Sequence, residues 1–279
     1  MAWIKHIAAA ALIFAATTAT ARTAVAEAEC APGKCEKSEC CENRPVTSIY
    51  SIEIGGARDL STYLSPLYYT GMDYAISGSW TKSFNRWSDR CVMRFEAAVN
   101  FQDMLNPAKT AVMYGLTARF NWGLSWRHRF ARDWQVTVGP MIDLYGGALY
   151  LSRNGNNPVT ALASAGIDVA ASVSRKFRIG RLPVEIVDEV RIPTLSAFFS
   201  PEYGETYYEI YLGNHRGLAH CGWWGNAFGI DNLLSFRMNF GRTGMMVGYR
   251  FDLRTFRACD LQTQVMRNAF VIGVIPHGF

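Results

Sequence analysis

Between Thr110 and Arg127 the chain alternates with a period of two. Val112, Tyr114, Leu116, Ala118, Phe120, Trp122, Leu124 and Trp126 fall on one side, and Met113, Gly115, Thr117, Arg119, Asn121, Gly123, Ser125 and Arg127 on the other. Successive side chains of a strand leave opposite faces, so this period is a strand, and it is longer than the ~5–6 residues usual in soluble sheets. One face is apolar and aromatic without a break, while the other is small, polar or charged. That pattern is the one a transmembrane β-barrel strand needs, with lipid outside and a polar lumen inside.

The same alternation recurs along the chain and predicts about twelve strands, near residues 47–56, 70–83, 91–102, 111–129, 133–151, 160–176, 182–194, 206–213, 218–224, 229–240, 244–256 and 264–275. Residues 206–224 also read as one strand with a folded loop, so ten strands fit equally, both numbers being even as in bacterial barrels. The expected fold is an all-β, up-and-down antiparallel transmembrane barrel. Connections alternate in kind. Those at 84–90, 130–133, 177–181, 214–217 and 241–244 read as short, and those at 57–69, 103–110, 152–159, 195–205 and 257–263 as longer and richer in Pro, Asn and Gly. Short turns belong on the periplasmic side of an outer-membrane barrel, which places both termini there and residues 152–158 outside.

In the last three strands the lipid-facing sets are Leu234, Phe236, Met238 and Phe240; Met245, Val247, Tyr249, Phe251 and Leu253; and Met266, Phe270, Ile272 and Val274. Two residues resist the scheme: Asp188 falls on the lipid face, implying a bulge or closeness to the membrane interface, and Asn268 interrupts the last apolar face. Alternation alone fits a soluble barrel too. Strand length, aromatic residues near strand ends (Trp80, Trp122, Trp126, Trp134, Tyr150), a polar face crowded with small residues and the closing Phe279 favour the membrane. A soluble core holding Arg250, Asp252 and Arg254 in one row would carry a heavy desolvation cost.

Projected inward positions collect Asp73, Arg94, Glu96, Arg119, Arg127, Asp143, Asp168, Glu185, Glu189, Arg191, Glu209, Arg237, Arg250, Asp252, Arg254 and Arg267. Eight are arginines and eight are acids, a balance that favours cross-strand ion pairs over the single-sign excess of a selective pore.

The ends and the composition narrow the picture. Lys5 followed by the apolar run Ile7 to Ala16 and the small residues Ala24-Val25-Ala26 reads as a secretory signal over residues 1–26. Its removal takes the formal charge from +5 to +3, too mild to suggest nucleic acid. No stretch is long and apolar enough for a helical membrane span. Residues 27–45 form a Lys/Glu-rich, Cys-rich periplasmic tail with Cys30, Cys35, Cys40 and Cys41, and residues 46–279 the barrel. In an exported chain these cysteines point to disulfides, while their Cys-x4-Cys-x4-Cys-Cys spacing matches no zinc motif. Cys91, at a short turn, is within reach of the tail, whereas Cys259 lies at the opposite end of the barrel.

Enzymatic chemistry at a lipid face would need a His and a Ser side by side. His128 and His215 fall near short turns and His277 is terminal, which leaves His220, whose sequence neighbours include no Ser. His220 and Cys221 point to opposite faces of a regular strand, so a Cys/His pair is disfavoured as well. No catalytic, cofactor-binding or metal-ligating residue is assigned, and no cofactor is expected.

Pro201-Glu-Tyr-Gly-Glu-Thr-Tyr-Tyr-Glu-Ile210, Leu212-Gly-Asn214, Gly217-Leu-Ala-His220, Gly222-Trp-Trp-Gly-Asn226 and the closing Arg267-Asn-Ala-Phe-Val-Ile-Gly273 are the most distinctive local text. Over about residues 45–275 these resemble a family of outer-membrane β-barrels of Gram-negative bacteria known only as a domain of unknown function, with the Cys-rich tail outside it. The resemblance implies fold and location and transfers no functional residue. The expected function is a structural or surface-interaction barrel with a narrow polar lumen. A small-solute channel is the alternative, and a lipid-modifying enzyme comes next. Its expected partners are outer-membrane lipid and the barrel-assembly machinery.

Overall fold

A computed structural model describes residues 46–83, 90–130, 133–155, 157–202, 204, 206–213 and 217–276. The expected signal over residues 1–26 and the expected Cys-rich tail over 27–45 lie outside them. Among the described residues eleven strands follow in order: β1 (Thr47–Ser61), β2 (Ser65–Ser83), β3 (Cys91–Leu105), β4 (Val112–Arg129), β5 (Trp134–Leu151), β6 (Val159–Ile179), β7 (Leu182–Phe199), β8 (Ala219–Gly222), β9 (Ala227–Asn239), β10 (Gly244–Ala258) and β11 (Leu261–Ile275), with a short helix, α1 (Tyr207–Tyr211), before β8.

Ten of the strands close a barrel. Neighbours in sequence pair antiparallel from β1 to β7, β7 pairs β9, and the run continues through β10 and β11 back to β1. The closing seam is long, from Tyr50↔Val274 to Ser61↔Thr263. Gly55 permits its close approach, because a Cβ there would stand 1.8 Å from the Asn268 carbonyl oxygen. The strand count is therefore ten rather than twelve. Residues 206–213, read as a strand, instead carry helix α1: Thr206 accepts from the Glu209 amide through its side chain, and Glu209 accepts from the Thr206 amide in return. That reciprocal capping box is an N-terminal helix signature within a stretch whose Tyr and Ile suit a strand equally well.

The eleventh strand, β8, shares the edge of β7 with β9. Pairing with β9 stops at Arg191↔Asp231, and pairing with β8 begins at Ser196↔Gly222. Between them Pro193 has no N–H to donate, and the β6–β7 register slips at Ile167/Asp168, which leaves Thr194 to bond the Ile167 carbonyl at 2.7 Å through its hydroxyl. Residues 223–226 fold into a turn across the gap, fixed by Asn226, whose side chain accepts from the Trp223 amide and donates to the Cys221 carbonyl.

Most expected long connections shrink. The segment 57–69 reduces to residues 62–64 and 257–263 to the two-residue turn Cys259-Asp260, because β1, β2, β10 and β11 keep their alternation and their partners far beyond the point where polar residues suggest a loop. Cys259 and Asp260 both take positive φ, 50° and 62°, as a type I′ hairpin requires. The contrast in connection length that sets the expected orientation is thus carried chiefly by residues 200–218. This is called the loop end below, and the end bearing Thr47 and Ile275 the turn end.

Outside, the apolar faces of the strands are exposed all round: Ile52 and Ile54, Tyr74 and Ile76, Val99 and Phe101, Leu116 and Trp122, Ile142 and Leu144, Phe236, Val247, Phe270 and Ile272. Toward the turn end Tyr50, Trp80, Phe95 and Phe120 form a continuous aromatic row, with ring centroids 5.7, 5.0 and 4.6 Å apart. Asp188 does face outward, with no bulge at its position, and accepts from the outward Asn232 amide at 2.7 Å. Its neighbour two residues on along the β6 face is Arg175, which lies over the Trp134 ring at 5.3 Å. Asn268 likewise faces outward, accepting from the Tyr249 hydroxyl at 3.1 Å. Among the described residues no helix is long and apolar enough to cross a membrane.

Candidate functional site

Inside the barrel, buried polar residues converge because each inward strand position is forced there by the outward apolar residue beside it. At the middle sits Glu96 of β3. Arg191 of β7 reaches both its oxygens at 3.1 Å, Arg250 of β10 donates at 2.8 Å, and Arg94 and Arg119 stand at 3.4 and 3.7 Å. Glu53 of β1 takes Arg250 at 3.2 Å, Arg267 and the Ser77 hydroxyl. Asp231 of β9 takes Arg119 at 2.5 Å and Arg191. Asp252 accepts from Arg119 at 2.8 Å and has Arg254 and Arg267 at 3.8 and 3.9 Å. Asp143 receives Arg254 through two bonds of 2.7 and 3.0 Å and the Asn121 amide at 2.6 Å.

Strand-borne charges from facing walls thereby meet within side-chain reach, and forked guanidinium–carboxylate pairs hold opposite walls together. Arg250 and Arg254 of β10 bond Glu96 and Asp143 on the far side, and Arg191 of β7 bonds Glu96 of β3. Such a network occupies the cross-section of the lumen. Buried charges are tolerable there because each has several partners.

The charged layer is closed off toward the loop end by apolar side chains. Leu64, Tyr69, Met104, Met113, Tyr145, Leu149, Leu151, Leu162 and Val265 form one buried cluster, with Tyr63 and Phe256 against it. Leu64 comes from the β1–β2 turn, folded inward and held by Asn154, whose amide donates to its carbonyl at 3.1 Å. Tyr145 joins the two layers: its ring belongs to the apolar cluster, and the Arg254 guanidinium lies over it at 4.5 Å. A smaller cluster of Ile49, Leu233, Met246, Val271 and Ile275 lines one wall at the turn end.

Fifteen of the sixteen inward charges expected from the sequence lie on β2 to β11 with inward-facing phase, and the ion pairs above gather most of them. Arg127 is among them, at the turn end, donating to Ser83 at 3.2 Å. Glu209 is the exception: it is on helix α1, exposed, and its carboxyl is held below the usual range by hydrogen bonds from the Thr206 backbone and hydroxyl. Sequence reasoning missed Glu53, Asp59 and Asp231, all buried and inward. Their phase is readable, Glu53 standing between the outward Ile52 and Ile54 and Asp231 two before Leu233, which shares the inward face with Ser235 and Arg237. Ending the first strand at residue 56 puts Asp59 in a loop, whereas β1 runs on to Ser61.

His220 lies inside the loop-end rim, its ring 5.5 Å from Phe198 and its Nε2 3.1 Å from the Ser200 carbonyl oxygen, so the contact that Ser200 offers is backbone and not a nucleophile. Cys221 faces away from it and is exposed, and Cys91, Cys221 and Cys259 are free thiols. Among the described residues no group of three or more His, Cys, Asp and Glu side chains is placed to hold a metal ion.

Residues 9–278 match the family described as a protein of unknown function (DUF3316). The chain belongs to this family. The match reaches well before residue 45, so the Cys-rich tail lies within the family's extent and not outside it as the resemblance suggests. No curated protein matches this DUF3316 chain. Among solved structures it is similar to the transport unit of the autotransporter AIDA-I from Escherichia coli, at 7% identity and TM-score 0.47, covering 87% of this chain and 93% of that one. It is similar also to the outer membrane protease OmpT from Escherichia coli (7%, 0.45, 84% and 97%) and to the β domain of the Bordetella autotransporter BrkA (10%, 0.42, 84% and 99%). The fold assignment rests on this chain's own strand pairing and not on those likenesses.

Proposed function

We propose that this DUF3316 chain is an outer-membrane β-barrel with a closed lumen, acting as a structural or surface-interaction protein and not as a channel or an enzyme. The observation that carries the reading is the filled cross-section: the ion-pair layer around Glu96 and the apolar layer around Leu149 lie one behind the other across the lumen. Water and solutes crossing it would have to separate buried ion pairs and then pass a layer of apolar side chains. The exposed apolar exterior and its aromatic row support residence in a bilayer, and an even number of strands with both ends of the barrel chain at the turn end supports a periplasmic turn end. On this reading residues 1–26 are the export signal, the Cys-rich tail is periplasmic, the assembly machinery for barrels is the folding partner, and residues 200–218 form the surface presented outward. The placement of His220 against a backbone carbonyl offers no support for the lipid-modifying alternative.

Reconstitution into planar bilayers tests the central point: the expected result is conductance at the background level, and steady single-channel steps would overturn it. An epitope inserted after Asn156 should be accessible on intact cells and one at Arg242 should not, the reverse pattern inverting the orientation.

A further inference from the structure

The outer wall is not the same all round. Strands β4 and β5 turn Leu116, Trp122, Ile142 and Leu144 outward, whereas the wall of β6, β7 and β9 carries polar side chains among its apolar ones. Asp188 of β7 stands in one register row with Val173, Leu234, Tyr249 and Phe270, each outward and exposed, so its carboxylate lies within the apolar belt. Asn232 of β9 donates to one of its oxygens at 2.7 Å and through the same nitrogen to the Glu189 carbonyl at 3.3 Å. Among the described residues no donor reaches the other carboxylate oxygen. On β6, Arg175 follows Val173 by two residues toward the turn end and shares its outward phase, since Ser174 between them is buried. Asp188 and Arg175 are thus diagonal neighbours on paired strands, yet no ion pair joins them. One is held by Asn232 on the β9 side, and the other lies over the Trp134 ring of β5 at 5.3 Å.

We propose that this wall is a two-fold interface with a second copy of the chain, in which Arg175 of each copy pairs with Asp188 of the other. A charged side chain facing hydrocarbon is costly, and it is retained where a partner meets it. A two-fold axis along the membrane normal keeps both copies at one depth and the same way up. A patch holding an acid and a base that do not pair within one chain then becomes complementary to itself. The long arginine side chain spans the offset of two residues, about 7 Å along the strand. A lipid phosphate at the turn-end rim would attract Arg175 but repel Asp188, so it answers one charge and not the other. A second copy presents both signs at the matching depth. The inference rests on the bilayer residence proposed above and is independent of whether the lumen is closed.

The test uses the full chain assembled in membranes, with photo-reactive benzoylphenylalanine replacing Val173 or, on the β5 wall, Leu144. A cross-linked species of twice the mass is expected from the first and none from the second. In chains bearing the probe at Val173, Asp188→Arg and Arg175→Asp should each abolish that product. Co-expressed with different tags, the two variants should cross-link to each other, because Arg175 and the introduced arginine of one chain then face two acids on the other. Where charge reversal blocks assembly, seen as loss of the heat-modifiable folded band, Asp188→Asn takes its place. It should raise the dissociation constant of the dimer about a hundredfold, one tenfold loss for each symmetric pair, read by energy transfer between labelled copies diluted in phosphatidylcholine vesicles. A folded, membrane-integrated barrel overturns the proposal if it gives no product from Val173, equal product from Leu144, or adducts only with lipid or another protein. Mixed variants that stay apart, or an unchanged dissociation constant for Asp188→Asn, overturn it as well. Recovery of the chain in soluble form without detergent would instead overturn the bilayer residence, and this interface with it.

Discussion

The charged middle of the lumen and its apolar loop-end cap are equally buried, yet they hold the barrel in different ways. Around Glu96 each carboxylate serves several guanidinium groups from different strands, so position and charge both matter and the loss of one member leaves others buried and underpaired. Around Leu149 the requirement is volume, met by leucines, methionines and a valine that could exchange places with little chemical consequence. The charged layer therefore fixes which walls face each other, and the cap excludes water from above it.

Glu96→Ala should be the most damaging single change, at about 3–5 kcal/mol, because it strands Arg191 and Arg250 without a full partner. Urea unfolding in detergent followed by tryptophan fluorescence measures it, and a cost under about 1 kcal/mol would erase the distinction between the two layers. Asp252→Ala, which withdraws a bond from Arg119 at the edge of the same network, should cost about 3 kcal/mol by the same measurement. In the cap, Leu149→Ala should cost about 2–4 kcal/mol through the cavity it leaves, while Leu149→Met should cost less than about 1.5 kcal/mol. Neither cap variant should conduct in planar bilayers, since the charged layer stays shut behind it, and conductance in Leu149→Ala would make the cap the true seal.

Changes outside both layers sharpen the contrast by their smallness. Asp260→Gly relaxes a left-handed residue in the β10–β11 turn and should stabilise by about 0.5 kcal/mol. Acidification should loosen helix α1 through Glu209. The folded-state carboxyl of Glu209 lies below its ordinary value of 4.5, so the capping box is intact above that value and is lost as the pH falls through the lower folded one. Faster amide exchange at Thr206 below that pH is the expected signature; unchanged exchange would separate the helix from its capping box.

Alternation alone makes the walls legible: Leu116, Phe120 and Trp122 face out and Arg119 and Asn121 face in, as their phase requires. Where polar residues crowd a strand end the phase is lost, as at Asp59, although the backbone there keeps both its partners. Tyr207 to Tyr211 mislead for the opposite reason: their side chains suit a strand, and the turn is decided by Thr206 and Glu209, a short-range pair easily missed beside the longer pattern.

The sequence by itself determined the all-β architecture, the sidedness of each long strand and a nearly balanced set of inward charges, since period two acts locally and needs no knowledge of neighbours. Only the tertiary structure decided that the count closes at ten, that Glu96 meets Arg191 and Arg250 and that Leu64 folds into the cluster around Leu149. Those outcomes depend on register and closure, which bring residues as far apart in sequence as Glu96 and Arg250 to within 2.8 Å, and no local periodicity encodes such a distance.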